Sequence, residues 1–343
     1  MKRFRIASAG CGAMSRAWLQ YTLTREDTEI VALVDPVTAS ANARKEEFHL
    51  DCAVFSGLQD AIKETGANLV FDITPPEFHK PTVLTALRMG CDVFGEKPMS
   101  DTLEHAREMK EAARKSGRLY AVMQNRRYHP QIIAFRDLLQ DPELGAQGYV
   151  CADFFLAPHF GGFRDAMDSP LILDMAIHTF DAARYLTGAN AKTVYCQEFN
   201  PSWSWYRGDA CAVCIFEMTN GSIFVYRGSW CSDGMPTSWE SEWRISCAGG
   251  TALWNGRDVP VSEILKTMEG DAPGQEKRAP LRKTAVVPQG IPTGHPACLE
   301  EMFSSLLAGR EPQTSCYDNY NSIAMVFGAI ESARTGQKVG IRL

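Results

Sequence analysis

The stretch Phe4-Arg5-Ile6-Ala7-Ser8-Ala9-Gly10-Cys11-Gly12-Ala13-Met14-Ser15 decides the fold. An apolar run of strand length meets two glycines one residue apart, and a helical pattern follows over 13–24. In that setting Gly10 allows a tight turn, and Gly12 lets backbone approach a pyrophosphate at a helix N-terminus opened by Ala13 and Met14. The third glycine of the usual pattern is replaced by Ser15, small enough for helix–strand packing but a departure from the strict form. A second strand over 29–34 ends at Asp35, which lies 35 − 15 = 20 residues beyond Ser15. A carboxylate there accepts hydrogen bonds from the adenosine ribose and repels a 2′-phosphate. No Arg or Lys follows in Asp35-Pro36-Val37-Thr38-Ala39-Ser40, so NAD is favoured over NADP.

Outward from this turn, short apolar runs alternate with helical patterns, the signature of βαβ units. Strands are expected over 53–55, 68–73, 92–95 and 119–123, with a helix over 79–89 stopped by Gly90. Six strands with helical crossovers make residues 1–125 an α/β Rossmann domain, a doubly wound parallel sheet. Beyond Asn125-Arg126-Arg127-Tyr128 the pattern changes. A helix over 130–139 and a strand over 148–155 lead to a helix with Ser169 as N-cap, Pro170 at its first turn and Gly188 at its end. Consecutive strands follow over 192–198, 210–217, 222–226, 240–247 and 251–254, with Thr219-Asn220-Gly221 as a hairpin signal. Residues 126–343 are thus expected to form an α+β domain with a large, mostly antiparallel open sheet. A polar, Pro/Gly-rich stretch over 270–290 reads as a surface hairpin or loop. Closing helices within 296–335 are candidates for packing back on the first domain.

The 343 residues suit two domains, and 45% hydrophobic with 22% charged residues is an ordinary globular composition. A net charge of −6 without a long basic run gives nucleic acid no support as partner. Arg5 interrupts any early signal-peptide core, and no apolar run reaches membrane-span length, so a cytoplasmic protein is expected. Eleven cysteines scattered from Cys11 to Cys316 read as reduced thiols. Cys211-Ala212-Val213-Cys214 lies in a strand, where that spacing puts the two thiols on opposite faces. No second pair completes a zinc set.

Two groups of residues carry chemistry. Glu96-Lys97-Pro98 follows the fifth strand, and Thr74-Pro75 follows the fourth, both at the edge that faces ligand in such sheets. Oxidising a secondary alcohol needs a base for the hydroxyl proton and a group that stabilises the developing alkoxide. Lys97 suits the second task. Asp174 and His178 are four apart on one helix face, and the imidazole suits the first. Read singly, Lys97 is a solvated lysine and His178 a structural histidine. The pair could also serve a metal, but no third ligand with suitable spacing is evident, so no metal is expected.

Taken in order, these parts resemble the glucose–fructose oxidoreductase, inositol dehydrogenase and MocA family (Gfo/Idh/MocA). The resemblance runs through Gly10-x-Gly12-x-Met14, Thr74-Pro75 with His79, Gly90 to Pro98, Asn125 to Tyr128, Asp174-x-x-x-His178-x-x-Asp181, Thr314-Ser315, Asp318-Asn319 and Ser332-Ala333-x-x-Gly336. It implies hydride transfer between nicotinamide and a sugar, inositol or related polyol, in dimers or tetramers packed through the second domain's sheet. Lys97, Asp174 and His178 match the catalytic positions, with Lys97-Pro98 often a cis peptide in relatives. The candidate cofactor contacts are Gly10, Gly12, Ala13, Met14, Asp35, Thr74, Pro75, His79, Glu96, Lys97, Asn125 and Arg164. The candidate substrate contacts are Lys97, Arg126, His159, Arg164, Asp174 and His178. Where relatives often carry Gly-Gly before the aspartate, this chain has Asp168-Ser169-Pro170-Leu171-Ile172-Leu173, which reshapes one wall of the pocket. His159 and Arg164, in the segment 158–165, are candidates for polyol or anionic-group contacts or for plain loop roles. Trp203, Trp205, Tyr206, Trp239 and Trp243 suggest either platforms for sugar rings or an oligomer interface, Trp239 and Trp243 sharing a strand face. The alternatives kept open are an NADPH-dependent keto-sugar reductase, an enzyme that retains NAD while cleaving a glycoside, and a non-catalytic dinucleotide sensor.

Overall fold

The computed structural model describes residues 3–269 and 276–341. They form two compact units, one running through Asn125 and including Pro292–Ile323, the other Arg126–Ile291 together with Ala324 onward. The stretch 292–323, C-terminal in sequence, therefore belongs with the Rossmann unit.

In the first unit, strands β1 (Phe4–Ala9), β2 (Thr28–Val34), β3 (Ala53–Phe55), β4 (Leu69–Asp72), β5 (Asp92–Gly95) and β6 (Tyr120–Val122) form a parallel sheet in the order β3-β2-β1-β4-β5-β6. The order reverses between β1 and β4, the switch point where doubly wound sheets bind ligands. Helices α1 (Ser15–Thr22), α2 (Thr38–Glu47), α3 (Leu58–Thr65), α4 (Pro76–Arg88) and α5 (Leu103–Ser116) make the crossovers. β1, β4 and β5 are buried almost throughout, as strands covered on both faces require. The expected helix over 79–89 starts three residues earlier, because Pro76 fits the first turn where its missing N–H costs nothing. Phe303, on a later helix of the same unit, packs its ring against Phe4, Phe71 and Phe94 at 5.2, 6.2 and 5.1 Å. That contact explains why 292–323 joins this unit.

The second unit opens with α6 (Pro130–Leu139). Its sheet contains β7 (Gln147–Phe155), β8 (Ala191–Phe199), β9 (Cys211–Met218), β10 (Ile223–Ser229), β11 (Glu242–Cys247), β12 (Gly250–Trp254), β13 (Val261–Glu269), β14 (Glu276–Thr284) and β15 (Val339–Gly340). The order is β14-β13-β12-β11-β7-β10-β9-β8-β15, antiparallel except between β7 and β10. Thr219-Asn220-Gly221 turns β9 into β10, with Gly221 at a φ of +87°. Of the surface hairpin or loop expected over 270–290, the hairpin is the form taken: β14 pairs antiparallel with β13 along its whole length, while 270–275 lie outside the described residues. β14 is an edge strand, where Pro280 and basic side chains are tolerated.

α7 (Ile177–Thr187) lies in this unit and ends at Gly188 in the left-handed conformation. Asp181 on α7 is buried and takes a two-pronged bond from Arg127, at 2.7 Å to Nε and 2.6 Å to Nη2. Such a fork fixes orientation as well as charge. All eleven cysteines are free thiols. Cys214 Sγ lies 3.4 Å from Cys196 Sγ, whereas Cys211 Sγ lies 3.8 Å from Cys231 Sγ, so the close pair serves two separate clusters. One row crosses the sheet through Tyr195, Ile215, Val225, Cys151, Arg244, Leu253 and Val261. Tyr195, Ile215, Leu253 and Val261 in it are exposed apolar side chains. The remaining helices are α8 (Gly294–Ala308), in the first unit, and α9 (Cys316–Thr335), inside which the division falls. Among the described residues no helix is long and apolar enough to cross a membrane.

Candidate active site

In the first unit the glycine turn forms where the sequence placed it. Gly10 has a φ of +90°, and a Cβ there would lie 2.4 Å from the Ile73 carbonyl oxygen. Only glycine lets the end of β1 approach the end of β4 so closely. Gly12, Ala13 and Met14 are exposed, and a Cβ at Gly12 would meet nothing within 4 Å. Asp35 accepts from the backbone N–H of Cys11 at 3.0 Å and of Val37 at 2.9 Å, one on each oxygen. Each oxygen keeps a lone pair for a further donor. An open turn at a helix N-terminus, beside a carboxylate with spare acceptor capacity, fits a dinucleotide. Arg44 lies beyond the 35–40 stretch. Its buried guanidinium donates to the carbonyls of Cys11 (3.2 Å) and Gly12 (3.0 Å) and pairs with Glu47. Its charge is spent on holding the turn.

At the end of β4, Thr74 donates its hydroxyl to Asp72 at 2.6 Å, and Pro75 caps α4. His79 is 1% exposed, with Nδ1 2.8 Å from the other Asp72 oxygen. Burial works against a charged ring there, but Asp72 outweighs it and raises the His79 pKa. His79, expected as a cofactor contact, therefore supports Thr74 from inside the unit. Glu96, at the end of β5, is also buried. It accepts from Trp18 Nε1 at 2.7 Å and from the Lys97 backbone N–H at 3.0 Å. His295 Nε2 stands 3.6 Å away, and its Nδ1 lies 3.2 Å from the Asn125 side-chain nitrogen. Burial pushes the Glu96 carboxyl up, yet His295 and the Trp18 N–H prevail and hold it below its ordinary value. Lys97 is half-buried, and its bond to Pro98 is cis. His295 joins two crevice residues across 170 positions of sequence, a link with no local signal.

In the second unit, Asp174 sits in a π-helical turn (Leu171–Ala176), and His178 follows in the first turn of α7. Both are buried. The expected Ser169 cap is not made: the Ser169 hydroxyl donates instead to Glu198 at 3.1 Å. The Leu-Ile-Leu run reads as ordinary helix in sequence, and π turns are concentrated at functional sites. Arg164 donates from Nε to Asp174 at 2.7 Å, so these two expected contacts come together. His159 is exposed and lies over Trp205, with ring centroids 3.8 Å apart. Arg126 is buried, and its guanidinium holds the Trp239 carbonyl and faces Glu240 at 3.8 Å. Trp243 does not share a face with Trp239; it is buried, 6.2 Å from Phe224. Tyr206 is 4% exposed, its ring centroid 5.1 Å from that of Trp205. Burial, then Asp165 and Asp174, raise its pKa. Lys97 belongs to the first unit, whereas Asp174, His178, Arg164, His159 and Arg126 belong to the second. Among the described residues no three His, Cys, Asp or Glu side chains group as metal ligands.

A glycine turn on a doubly wound sheet, joined to a large mostly antiparallel sheet, defines a dinucleotide-binding protein of the Rossmann class. Two family models match the chain: the oxidoreductase family with NAD-binding Rossmann fold over residues 4–124, and the GFO/IDH/MocA C-terminal domain over 132–253. The chain belongs to the GFO/IDH/MocA oxidoreductase family. It is 27% identical to the uncharacterized protein y4oX of Sinorhizobium fredii, over 99% of this chain and 96% of that one. It is 31% identical to the D-glucoside 3-dehydrogenase of Escherichia coli, over 57% of each. An oxidoreductase from Agrobacterium radiobacter, solved with NAD+, L-tartaric acid and magnesium, has the same fold at a TM-score of 0.85, 19% identity and 99% coverage of both chains.

Glu198 gives this region a pH dependence. It is buried, one carboxyl oxygen has no partner, and burial pushes its pKa up to about 7, against the Ser169 bond. The unfolded group ionises near 4.5. Its contribution to stability is therefore complete below pH 4.5 and lost as pH rises through 7. Glu198→Gln is expected to exceed the wild type in stability at pH 8 by up to about 3 kcal/mol, with no gain at pH 4.5. Denaturant unfolding at the two pH values checks this; an equal difference at both would contradict it.

Proposed function

We propose that the protein is an NAD-dependent dehydrogenase that oxidises a ring secondary alcohol of a sugar, inositol or related polyol. The observation that carries this reading is the built support of Lys97. A buried carboxylate, itself fixed by Trp18, receives the Lys97 backbone N–H at the ligand edge of a dinucleotide sheet. That bond fixes the point at which the lysine leaves the sheet, on the edge where such sheets bind ligand.

When bound, NAD supplies the acceptor for the hydride that leaves the ring carbon. Lys97 polarises the alcohol oxygen and stabilises charge as the C=O bond forms. His178 takes the hydroxyl proton as general base. Asp174, charge-balanced by Arg164, orients the substrate through its hydroxyl groups. Gly12, Ala13 and Met14 hold the pyrophosphate, and Asp35 the adenosine ribose. Asp35 favours NAD over NADP because a 2′-phosphate would meet its carboxylate, while Arg44 is committed elsewhere. The similarity to a D-glucoside 3-dehydrogenase supports a carbohydrate as substrate.

With NAD and a panel of inositols and sugars, the reduced-nicotinamide absorbance is expected to rise, and NADP to work less well. Lys97→Ala should lower kcat by about 100-fold or more. A wild type that binds NAD yet reduces none with any panel member would overturn the reading. The exposed apolar row on the open sheet face supports self-association through that face. Sedimentation at micromolar concentration is expected to give a dimer or larger, and a monomer would contradict this.

A further inference from the structure

Next to the Asp174–Arg164 pair, the second unit carries aromatic rings that the scheme above does not use. Phe160, Phe163 and Trp239 are 58%, 65% and 44% exposed, high values for rings of this size. They are nonetheless held in place. Phe160 and Trp239 stack with centroids 6.3 Å apart and planes at 26°. Both rest on the fully buried Trp230, at 6.1 and 5.6 Å, and Trp230 stacks in turn on Phe154. The Trp239 loop is pinned at two points: Thr237 exchanges hydrogen bonds with Phe155 at the end of β7, and Arg126 holds the Trp239 carbonyl.

Arg164 links these rings to the chemistry. Its Nε is 2.7 Å from Asp174, while its guanidinium carbon lies 5.6 Å from the Phe160 ring centre and 4.7 Å from that of Phe163. The rings therefore start one guanidinium away from Asp174 and extend from it. A second observation points to a hydroxyl-bearing ligand. The indole N–H of Trp230, the ring on which Phe160 and Trp239 rest, and one oxygen of Asp165, the neighbour of Arg164 in sequence, are buried without a hydrogen-bond partner. Unpaired polar groups of this kind cost stability unless something else satisfies them. Flat apolar rings beside an unpaired donor and an unpaired acceptor suit a sugar, whose ring has C–H faces and a hydroxyl rim.

We propose that Phe160, Trp239 and Phe163 form a second-ring subsite, so that the substrate is a glycoside. One ring is oxidised beside Asp174, and the ring linked to it stacks on Phe160 and Trp239. This rests on the reading that Asp174 contacts the substrate. The linked ring is either a second sugar or an aryl group, which share the flat apolar face the subsite recognises.

The test compares a methyl glycoside, the matching phenyl glycoside and the matching disaccharide, with the full-length protein and NAD. In the wild type the ring-bearing glycosides are expected to exceed the methyl glycoside in kcat/KM by about tenfold, the effect of one aromatic stack. Phe160→Ala and Trp239→Ala should abolish that ratio, and Trp239→Phe should restore it. A larger gain with the disaccharide than with the phenyl compound identifies a sugar as the linked ring, and the reverse identifies an aryl group. A ratio near one in the wild type, or an unchanged ratio in both alanine variants, overturns the proposal. Conversion of an oligomer to a monomer by these variants also overturns it, since the rings would then be an interface. Calorimetric binding of the phenyl glycoside separates the two readings if no glycoside is turned over. Binding lost in Trp239→Ala upholds the subsite although the dehydrogenase reading fails, and no binding in the wild type sinks the subsite.

Discussion

The approach of β1 to β4 at Gly10 is the constraint on which the cofactor edge of the first unit depends. The close contact with the Ile73 carbonyl leaves no room for a side chain, and the positive φ turns the chain into α1. α1 then carries Trp18 into the core, where its ring packs edge-on against Phe71 at 4.9 Å. The indole N–H of Trp18 reaches Glu96, and Glu96 in turn receives the Lys97 N–H. One glycine thus sets a series of contacts that ends at the lysine assigned to the chemistry. The same contact places Ile73 next to Thr74, which Asp72 and His79 hold from within.

The second unit solves a different problem, that of keeping charged groups inside an apolar helix region. Asp181 is matched by the Arg127 fork, and Asp174 by Arg164. A buried carboxylate without such a partner would cost several kcal/mol. The two pairs differ in setting. Arg127 is buried with Asp181, which makes that pair part of the frame. Arg164 is partly exposed, among rings open to solvent, so its pairing with Asp174 leaves the guanidinium accessible.

Most of the fold was legible because its signals are local. The strand–glycine–helix passage at 4–15, the Asp35 spacing and the Asn220-Gly221 hairpin each depend on a few adjacent residues. Over 270–290 the composition left a hairpin and a loop both open, because Pro280 and basic residues fit a strand only at a sheet edge, and an edge is a property of the whole sheet. The π turn at Leu171–Ala176 was hidden because its apolar residues suit an α-helix equally well. Arg44 and His295 carry no motif, and their importance comes from partners distant in the chain. Trp243 shows the opposite case, an aromatic ring read as a sugar platform or an oligomer interface that serves as core.

The most direct test of the account is isotopic. A sugar or inositol bearing deuterium on its ring carbinol carbons would be incubated with the protein and NAD, and the reduced cofactor analysed by mass spectrometry. Deuterium in the reduced nicotinamide, absent with Lys97→Ala, is the result this account predicts. Product formation without label in the cofactor, or NAD bound and never reduced, would contradict it.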